Sequence, residues 1–349
     1  MSLMSSRVLP GSCTVLALGL LLAACGRDNA GAGTPAPQSS PAAPAETVAT
    51  TQADPGQAGT SCPAEAGKAP AGEIVATRIS AADGDPAAGL YEGPVWTAGA
   101  LYFSDFKFSD GFPSRIRRLD ANGRLETVIE GSGSNGLALA GDGSLVAATH
   151  DRKELSRYDL VDGSRMRIAG EYQGQPFNSP NDLVVGADGT IWFTDPAFQR
   201  AAAPGGQDST RIYRVATDGT VDVVDDSIAN PNGIALSPDG LTLYAAGGGE
   251  NGVLRAYPLA AGKAGPGRDL THTHIPDGLA IDCLGNIYLT EHERRQVRVL
   301  DPQGTQIATI RVDSNLTNAT FGGPERRTLY LTGAGAVWSV DLGVAGLPY

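Results

Sequence analysis

Six oxygen-bearing side chains recur along this chain at intervals of 41 to 51 residues. Each stands at or near the start of a short apolar run, and the series reads Glu92, Asn135, Asn181, Asn232, Asp277 and Asn318. Carboxylate and amide oxygens are the ligands that hard divalent cations such as Ca²⁺ take. If the fold brings these side chains to one place, the chemistry they predict is a divalent-cation site.

The alternative interpretation of this series is local. Asn-Gly and Asn-Asp pairs are common in turns, so a single member such as Asn181 in "SPNDL" could be a turn residue. Turn chemistry alone, however, predicts Gly, Ser or Pro at some positions and no clustering of carboxylates. The unbroken series of oxygen ligands therefore favours a metal site over a purely structural ring.

Each residue of the series belongs to the same repeat unit, which contains two apolar runs separated by a Gly/Asp-rich turn. Examples are "PNDLVVGADGTIWFTD" from 180 and "PNGIALSPDGLTLYAAG" from 231, and a third, alternating run usually follows. The central turn is a strong hairpin signal, and repeats of this length are typical of propeller blades. The six units predict an all-β, six-bladed β-propeller with four-stranded blades. The stretch 73–80 is expected to pair with the last blade and close the ring.

In a propeller the first strand of each blade lines the central channel, so residues that start these strands converge on its mouth. Two carboxylates alone in a narrow channel would repel each other and lose their hydration, and a bound cation relieves both effects. The series contains no His or Cys, which argues against zinc. We therefore expect one divalent cation, with Ca²⁺ favoured over Zn²⁺, Mn²⁺ or Mg²⁺.

The first 25 residues have the pattern of a secretion signal. The apolar run "VLALGLLLAAC" at 15–25 is too short to span a bilayer. Its last four residues resemble the bacterial lipobox, which implies lipid attachment at Cys25, and Gly26 favours sorting to the outer membrane. We expect a lipid-anchored protein of the bacterial cell envelope, facing the periplasm. The alternative is an ordinary signal peptide with a chance cysteine.

Residues 26–72 are predicted to be a disordered tether, and residues 73–349 the propeller. Val48 is the only bulky aliphatic residue of this Ala/Pro/Gly-rich stretch, so little apolar burial offsets the entropy of ordering it. Cys62 and Cys283 are the cysteines that remain beyond the signal and its lipobox. Two isolated thiols do not make a disulfide framework, so their pairing stays open.

The net charge of −12 and the absence of a basic run argue against a nucleic-acid partner. We expect a monomer that contacts membranes only through its lipid anchor. The chain has no G-x-S-x-G elbow and no Cys–His signature. Covalent serine or cysteine catalysis therefore has little support.

Four stretches together resemble one family: "EGPVW", "SPNDLVVGADGTIWFTDP", "PNGIALSPDG" and "PDGLAIDCLGNIY". They are similar to the senescence-marker-protein/gluconolactonase family of regucalcin-like six-bladed propellers, and the resemblance covers about residues 75–345. It implies a divalent-metal-dependent lactonase or phosphotriesterase-like hydrolase. By the same resemblance Glu92, Asn232 and Asp277 are metal ligands, Asp277 also transfers the proton, and Asn181 binds substrate and contributes to the metal site.

The chain departs from the animal members of that family at two places. Ser179 stands where they have an arginine, and Gln199 and Arg200 occupy a region where they carry an acid. The resemblance therefore does not extend to their preference for sugar lactones. The expected function is hydrolysis of a lactone, a small-molecule ester, at the channel mouth. The alternatives are phosphotriester or aryl ester hydrolysis at the same site, and a calcium-binding propeller without turnover.

Two further residues are expected to line the substrate pocket. Asn135 belongs to the oxygen series, and His150 follows the second strand of blade 2 on the same side as that series. His150 could act as an acid or base, or be a hydrogen-bonded loop residue. His292 has the equivalent position in blade 5, and the same interpretations apply to it.

Overall fold

The computed structural model describes residues 62–347, and this part of the chain is built from β-strands. Six antiparallel sheets follow one another along the sequence as six blades, which confirms the predicted propeller. None of the helical turns in this range is long or apolar enough to cross a bilayer.

Each blade is a four-stranded meander whose inner strand lines the central channel. From the inner strand outward, blade 1 consists of Gly89–Thr97, Ala100–Lys107, Ser114–Asp120 and Leu125–Ile129. Blade 2 consists of Ser134–Leu139, Leu145–Thr149, Glu154–Tyr158 and Arg165–Ala169. Blade 3 consists of Leu183–Val185, Ile191–Asp195, Arg211–Val215 and Val221–Asp225. Blade 4 consists of Pro231–Leu236, Thr242–Gly247, Gly252–Ala260 and Arg268–Thr273. Blade 5 consists of Pro276–Ile281, Ile287–Glu291, Gln296–Leu300 and Gln306–Arg311. Blade 6 consists of Leu316–Gly322, Thr328–Gly333, Ala336–Asp341 and Thr77–Arg78.

A few short elements lie beside these blades. Glu171–Tyr172 pairs with Gln175–Pro176 in a small hairpin, and Lys263–Ala264 pairs with the end of the third strand of blade 4. Single turns of 3-10 helix occupy Ser80–Ala82, Arg200–Ala202 and Gly249–Asn251. The second of these turns belongs to a long loop of blade 3 on the mouth side.

The hydrophobic core lies between neighbouring blades rather than at the axis. Each buried apolar cluster joins side chains from the facing surfaces of two adjacent sheets, as Tyr288 of blade 5 and Trp338 of blade 6 show. Both faces of each sheet are covered in this way, because the strands twist and the sheets stack radially. Packing between blades thus fixes the positions of the inner strands around the channel.

The ring is closed by residues that precede blade 1 in the sequence. Thr77–Arg78 forms the outermost strand of blade 6 and pairs with Trp338 and Ser339, as the prediction for 73–80 required. That prediction is wrong for the first half of the stretch, because Gly72–Val75 runs parallel to the outer strand of blade 5. Buried Ala76 lies where the chain passes from one blade edge to the next. The segment therefore covers two sheet edges instead of one.

A disulfide between Cys62 and Cys283 settles the pairing that the sequence leaves open. Cys283 lies in the turn after the inner strand of blade 5, on the face opposite the channel mouth. Its N–H donates to the carbonyl oxygen of Ala345 over 2.8 Å, and the Ala345 N–H donates to Ala66 over 2.7 Å. Both ends of the described chain are therefore tied to blade 5 on this face.

Removing this disulfide should destabilise the propeller. The bridge joins residues 221 positions apart, so it restricts a large loop of the unfolded chain. Cys62→Ser, Cys283→Ser and the double variant should each lose about 2–5 kcal/mol of the free energy of unfolding. Denaturant titrations with and without a reductant measure this, and reductant should not affect the double variant. An unchanged midpoint for the reduced wild type would contradict the expectation.

Candidate active site at the channel mouth

The six residues of the oxygen series all lie at the beginning of the inner strands, at one end of the channel. Each is buried, with at most 8% of its surface exposed. The Nδ2 atom of Asn318 donates to Glu92 Oε2 over 3.4 Å, which joins blade 6 to blade 1. The backbone of blade 2 meets that of blade 3 where the Gly136 N–H donates to the Asn181 carbonyl over 2.6 Å. The fold thus brings the predicted residues into one ring.

A local irregularity places these side chains at the channel. In five of the six blades the pairing between the inner and second strands shifts register at the ring residue or directly beside it. In blade 1, for example, the shift lies between Glu92 and Val95. A β-bulge of this kind re-aims a side chain that would otherwise alternate with its neighbours.

The residue after each ring position must be small in most blades. A Cβ atom on Gly136 would lie 2.5 Å from the Asn181 carbonyl oxygen, and one on Gly233 would come closer still to the Asp277 carbonyl. Glycine therefore permits neighbouring inner strands to approach each other around the axis. Four blades have glycine here, and blade 6 has Ala319.

Blade 3 has Asp182 at this position, and the sequence interpretation missed it. Asp182 is 6% exposed, and its Oδ1 accepts the Leu183 N–H over 3.0 Å. Its Oδ2 lies 3.4 Å from Asn318 Nδ2 and 3.4 Å from the Ile234 nitrogen, so it contacts blades 4 and 6. One signal in the sequence marks it: it is an acid in a column of glycine and alanine.

Three buried acids, Glu92, Asp182 and Asp277, lie at this ring, and burial disfavours the negative charge of the first two. Burial first, and then the charges of Asp277 and Asp182, raise the pKa of Glu92 well above its usual range. Burial raises the pKa of Asp182 to about 7, although hydrogen bonds from Leu183, Asn318 and Ile234 oppose the shift. A nearby cation would lower both pKa values, because it favours the charged form.

Several ring oxygens have no hydrogen-bond partner among the described residues. These buried atoms are Oδ1 of Asn135, Oδ1 of Asn232 and Oδ1 of Asp277. Buried acceptors without partners are rare in proteins, and a hard cation satisfies such oxygens directly. Within residues 62–347 no three His, Cys, Asp or Glu side chains form a metal-binding cluster. A cation at the ring would therefore depend on the amide oxygens, and this donor set fits Ca²⁺ better than Zn²⁺.

Asp277 has a specific neighbour, His292. The imidazole Nδ1 donates to the Leu316 carbonyl over 2.8 Å and lies 3.4 Å from Asp277 Oδ2. Burial lowers the pKa of His292, but the Asp277 carboxylate and the Leu316 carbonyl outweigh this and raise it. His292 thus contacts one carboxylate oxygen of Asp277 and leaves the other without a protein partner.

His150 lies beside the ring rather than within it. Its backbone N–H donates to the Gly133 carbonyl over 2.9 Å, two residues before Asn135. Nε2 lies 2.7 Å from the Phe112 carbonyl oxygen and must donate to it, so the neutral imidazole carries its lone pair on Nδ1. Burial lowers the pKa of His150, and Nδ1 is buried without a partner among the described residues. The substrate contacts predicted for Asn135 and His150 stay predictions.

A buried lysine and a buried aspartate hold the loop that precedes Asn181. Asp195 accepts the Asn178 and Ser179 N–H groups, each over 2.8 Å. Lys153 donates to the Asn178 carbonyl over 2.5 Å and to the Arg200 carbonyl over 2.8 Å. Both side chains satisfy backbone groups of a loop that lacks regular structure. They hold the backbone that precedes Asn181 in place but do not belong to the ring.

The two departures from the animal family members have a structural use. Ser179 is fully buried and donates to the Pro196 carbonyl over 2.7 Å, and its hydroxyl accepts the Gln199 N–H over 3.3 Å. These residues connect two loops of blade 3 instead of presenting a charge to the channel. The side chains of Ser179 and Gln199 themselves therefore add no charge beside Asn181.

Beneath the ring the channel narrows to a cavity of about 40 Å³. Apolar side chains such as Val95, Leu137 and Leu279 line it, together with Asp182 and Asn318. This volume holds a few water molecules at most. A substrate therefore reaches the ring from the mouth.

Comparison with known proteins gives one consistent family. The family model for the SMP-30/gluconolactonase/LRE-like region matches residues 90–335. The gluconolactonase of Zymomonas mobilis is 27% identical over 274 residues, covering 69% of this chain and 75% of that protein. The structure of a gluconolactonase from Xanthomonas campestris superposes with a TM-score of 0.67 at 29% identity, covering 78% of this chain and 99% of that one.

A more distant structure supports the same fold. The calcium-binding protein regucalcin from Agrobacterium tumefaciens superposes with a TM-score of 0.65 at 24% identity. The alignment covers 80% of this chain and 98% of that one.

Proposed function

Because this chain belongs to the SMP-30/gluconolactonase/LRE-like family, we propose that it is a lactonase that uses one divalent cation, preferably Ca²⁺. The observation that carries the proposal is the ring of buried oxygens at the mouth, in which Asn232 and Asp277 each keep one oxygen without a partner among residues 62–347. Two of the relatives described above are gluconolactonases, which supports a lactone as the substrate class.

Glu92, Asn181, Asn232 and Asp277 are the residues that would hold the cation. A cation bound there would polarise the lactone carbonyl and lower the pKa of a coordinated water molecule. Glu92 and Asp277 supply the negative charge, and the two amides supply neutral oxygens that add no further repulsion. Two acidic and two neutral ligands suit a buried ring in which a third acid, Asp182, is already present.

Asp277 is the residue proposed to move the proton. Hydrolysis adds water to the lactone carbonyl and breaks the ring C–O bond, so a proton leaves the water and another reaches the departing oxygen. A carboxylate held at the reacting atoms can accept the proton of the attacking water and then donate it to the departing oxygen. His292, 3.4 Å from Asp277 Oδ2, orients this carboxylate.

Cation binding should stabilise the folded protein. A ligand that binds only the folded state raises the free energy of unfolding with the logarithm of its concentration relative to the dissociation constant, by about 2.7 kcal/mol at one hundred times that constant, and the melting temperature rises with it. Ca²⁺ should therefore raise the melting temperature of chelator-treated protein, and Glu92→Gln or Asn232→Ala should remove most of the shift. Asp301→Asn, in an exposed turn on the opposite face, is the control. A wild type whose melting is indifferent to Ca²⁺ and chelator would contradict the cation site.

Asp277→Asn should reduce turnover more than it reduces metal binding. The amide keeps an oxygen ligand and nearly the same volume but cannot exchange a proton. General acid–base groups contribute about 10²–10⁴-fold, so kcat on a lactone should fall by about that factor at saturating metal. The measurement is pH-stat kinetics on glucono-δ-lactone, γ-butyrolactone, phenyl acetate and paraoxon. Wild-type turnover of the ester or the phosphotriester alone would favour the alternative activities, and no turnover with intact Ca²⁺ binding would favour a binding protein.

We also propose that the protein is a lipoprotein of the bacterial envelope, anchored at Cys25. Cys25 lies outside the described residues, and the proposal depends on the lipobox-like end of the run 15–25. Cys62, the first described residue, is bonded to the face opposite the mouth.

Loss of the anchoring cysteine should release the protein from membranes. Cys25→Ser removes the thiol that would carry the lipid but leaves the propeller unchanged. We expect the wild type in the membrane fraction and the variant in the soluble fraction, with a lipid mass on the wild type alone. Cys62→Ser, which changes a cysteine outside the signal, should stay with the membranes. Wild-type protein without a lipid mass would refute the anchor.

A further inference from the structure

A second cavity lies on the mouth side of the propeller, between two loops. It has a volume of about 470 Å³, which is in the range of small-molecule sites. The loop after the second strand of blade 1 and the corresponding loop of blade 3 form its walls, and its lining residues are Phe108, Ser109, Asp110, Gly111, Phe112 and Ala201. None of the residues assigned to the hydrolysis above lines this cavity.

One lining residue of this cavity, and one residue on the same blade 3 loop as Ala201, are exposed aromatic side chains. Phe108 is 54% exposed and Phe198, on the blade 3 loop, is 47% exposed. Seven large hydrophobic side chains of residues 62–347 are exposed, and these two are the only aromatic ones. The other five are aliphatic or methionine: Val75, Val161, Met166, Leu241 and Leu284. A cavity lined by aromatic side chains together with a few polar groups is typical of small-molecule sites.

The walls are held in place by hydrogen bonds. The Phe108 N–H donates to the Ala88 carbonyl over 2.9 Å, and His150 Nε2 fixes the Phe112 carbonyl at 2.7 Å. Phe112 has a left-handed backbone, with φ of 47°, which a bulky residue adopts only when its surroundings impose it. On the other wall, Lys153 binds the Arg200 carbonyl next to Ala201. A preformed surface of this kind binds a ligand at a lower entropic cost.

His150 connects this cavity to the ring. Its imidazole lies edge-on to Phe112 and Phe106, with centroid distances of 6.2 and 6.0 Å. Its backbone is bonded to Gly133, immediately before the inner strand that carries Asn135. His150 therefore contacts both a lining residue of the cavity, Phe112, and the segment that precedes Asn135.

We propose that this cavity receives an uncharged apolar substituent of the substrate, so that the preferred substrates are lactones with an alkyl or aryl side chain. The proposal rests on the lactonase function proposed above and specifies its substrate class. Asp110, the one charged residue of the lining, disfavours an anionic substituent.

The test compares γ-nonalactone with γ-butyrolactone, which has the same ring without the alkyl chain. Each methylene that is buried contributes up to about fourfold in binding, so wild-type kcat/KM should be higher for γ-nonalactone by at least tenfold. Phe108→Ala and Ala201→Asp should each lower kcat/KM for γ-nonalactone by about tenfold and leave γ-butyrolactone unchanged. Leu284→Ala, an exposed apolar residue of the opposite face, is the matched control and should change neither substrate. Equal changes for both lactones would indicate a merely structural role and overturn the proposal.

Calorimetric binding of γ-nonalactone to folded Asp277→Asn separates this proposal from the proposed function. Turnover of γ-butyrolactone without any preference for γ-nonalactone would reject the cavity assignment and keep the lactonase. Binding of γ-nonalactone that Phe108→Ala weakens, in a protein that hydrolyses no lactone, would keep the cavity and reject the lactonase. Neither turnover nor Phe108-dependent binding would reject both.

Discussion

The close approach of the six inner strands around the channel axis is the constraint on which the rest of this structure depends. Adjacent strands come so near that a Cβ atom at Gly136 or Gly233 would collide with the backbone of the next blade. The same approach forces the preceding side chains toward one small region and leaves each of them at most 8% exposed. Packing between blades maintains this geometry, because the six hydrophobic clusters lie between the sheets and leave the mouth end of the channel to polar groups.

Because this constraint buries several acids together, the ring lowers the stability of the folded protein unless a positive charge compensates for it. Burial and mutual repulsion raise the pKa of Glu92 and of Asp182, so the acids resist ionisation in the absence of a positive charge. Stability and function therefore compete at the ring, as they often do where charged groups are buried for a purpose. The unpartnered oxygens of Asn135, Asn232 and Asp277 are consistent with a ring that a cation completes.

The mouth is asymmetric, and its supports lie outside the ring. The loops of blades 1 and 3 form the apolar walls, whereas His292 and Arg294 give blade 5 a polar loop. Lys153 and Asp195 satisfy the backbone of the blade 3 loop, so this loop can be long and irregular yet hold Asn181 in place. In the functions proposed above, substrate selection and metal binding would thus depend on different parts of the same surface.

The sequence by itself determined the number of blades, the ring and the residues that form it, because each unit repeats the same local pattern and a closed ring of repeats has little topological freedom. It did not identify Asp182, although an acid in a column of small residues was a visible signal. Tertiary structure alone decided the contact between His292 and Asp277, the split of 72–78 across two blades, the Cys62–Cys283 bridge and the cavity beside His150. Apart from the contact between His292 and Asp277, which lies within blade 5, these features join residues from different blades or from distant parts of the chain. Their spacing in the sequence carries no period, and only the packing of the blades brings them together.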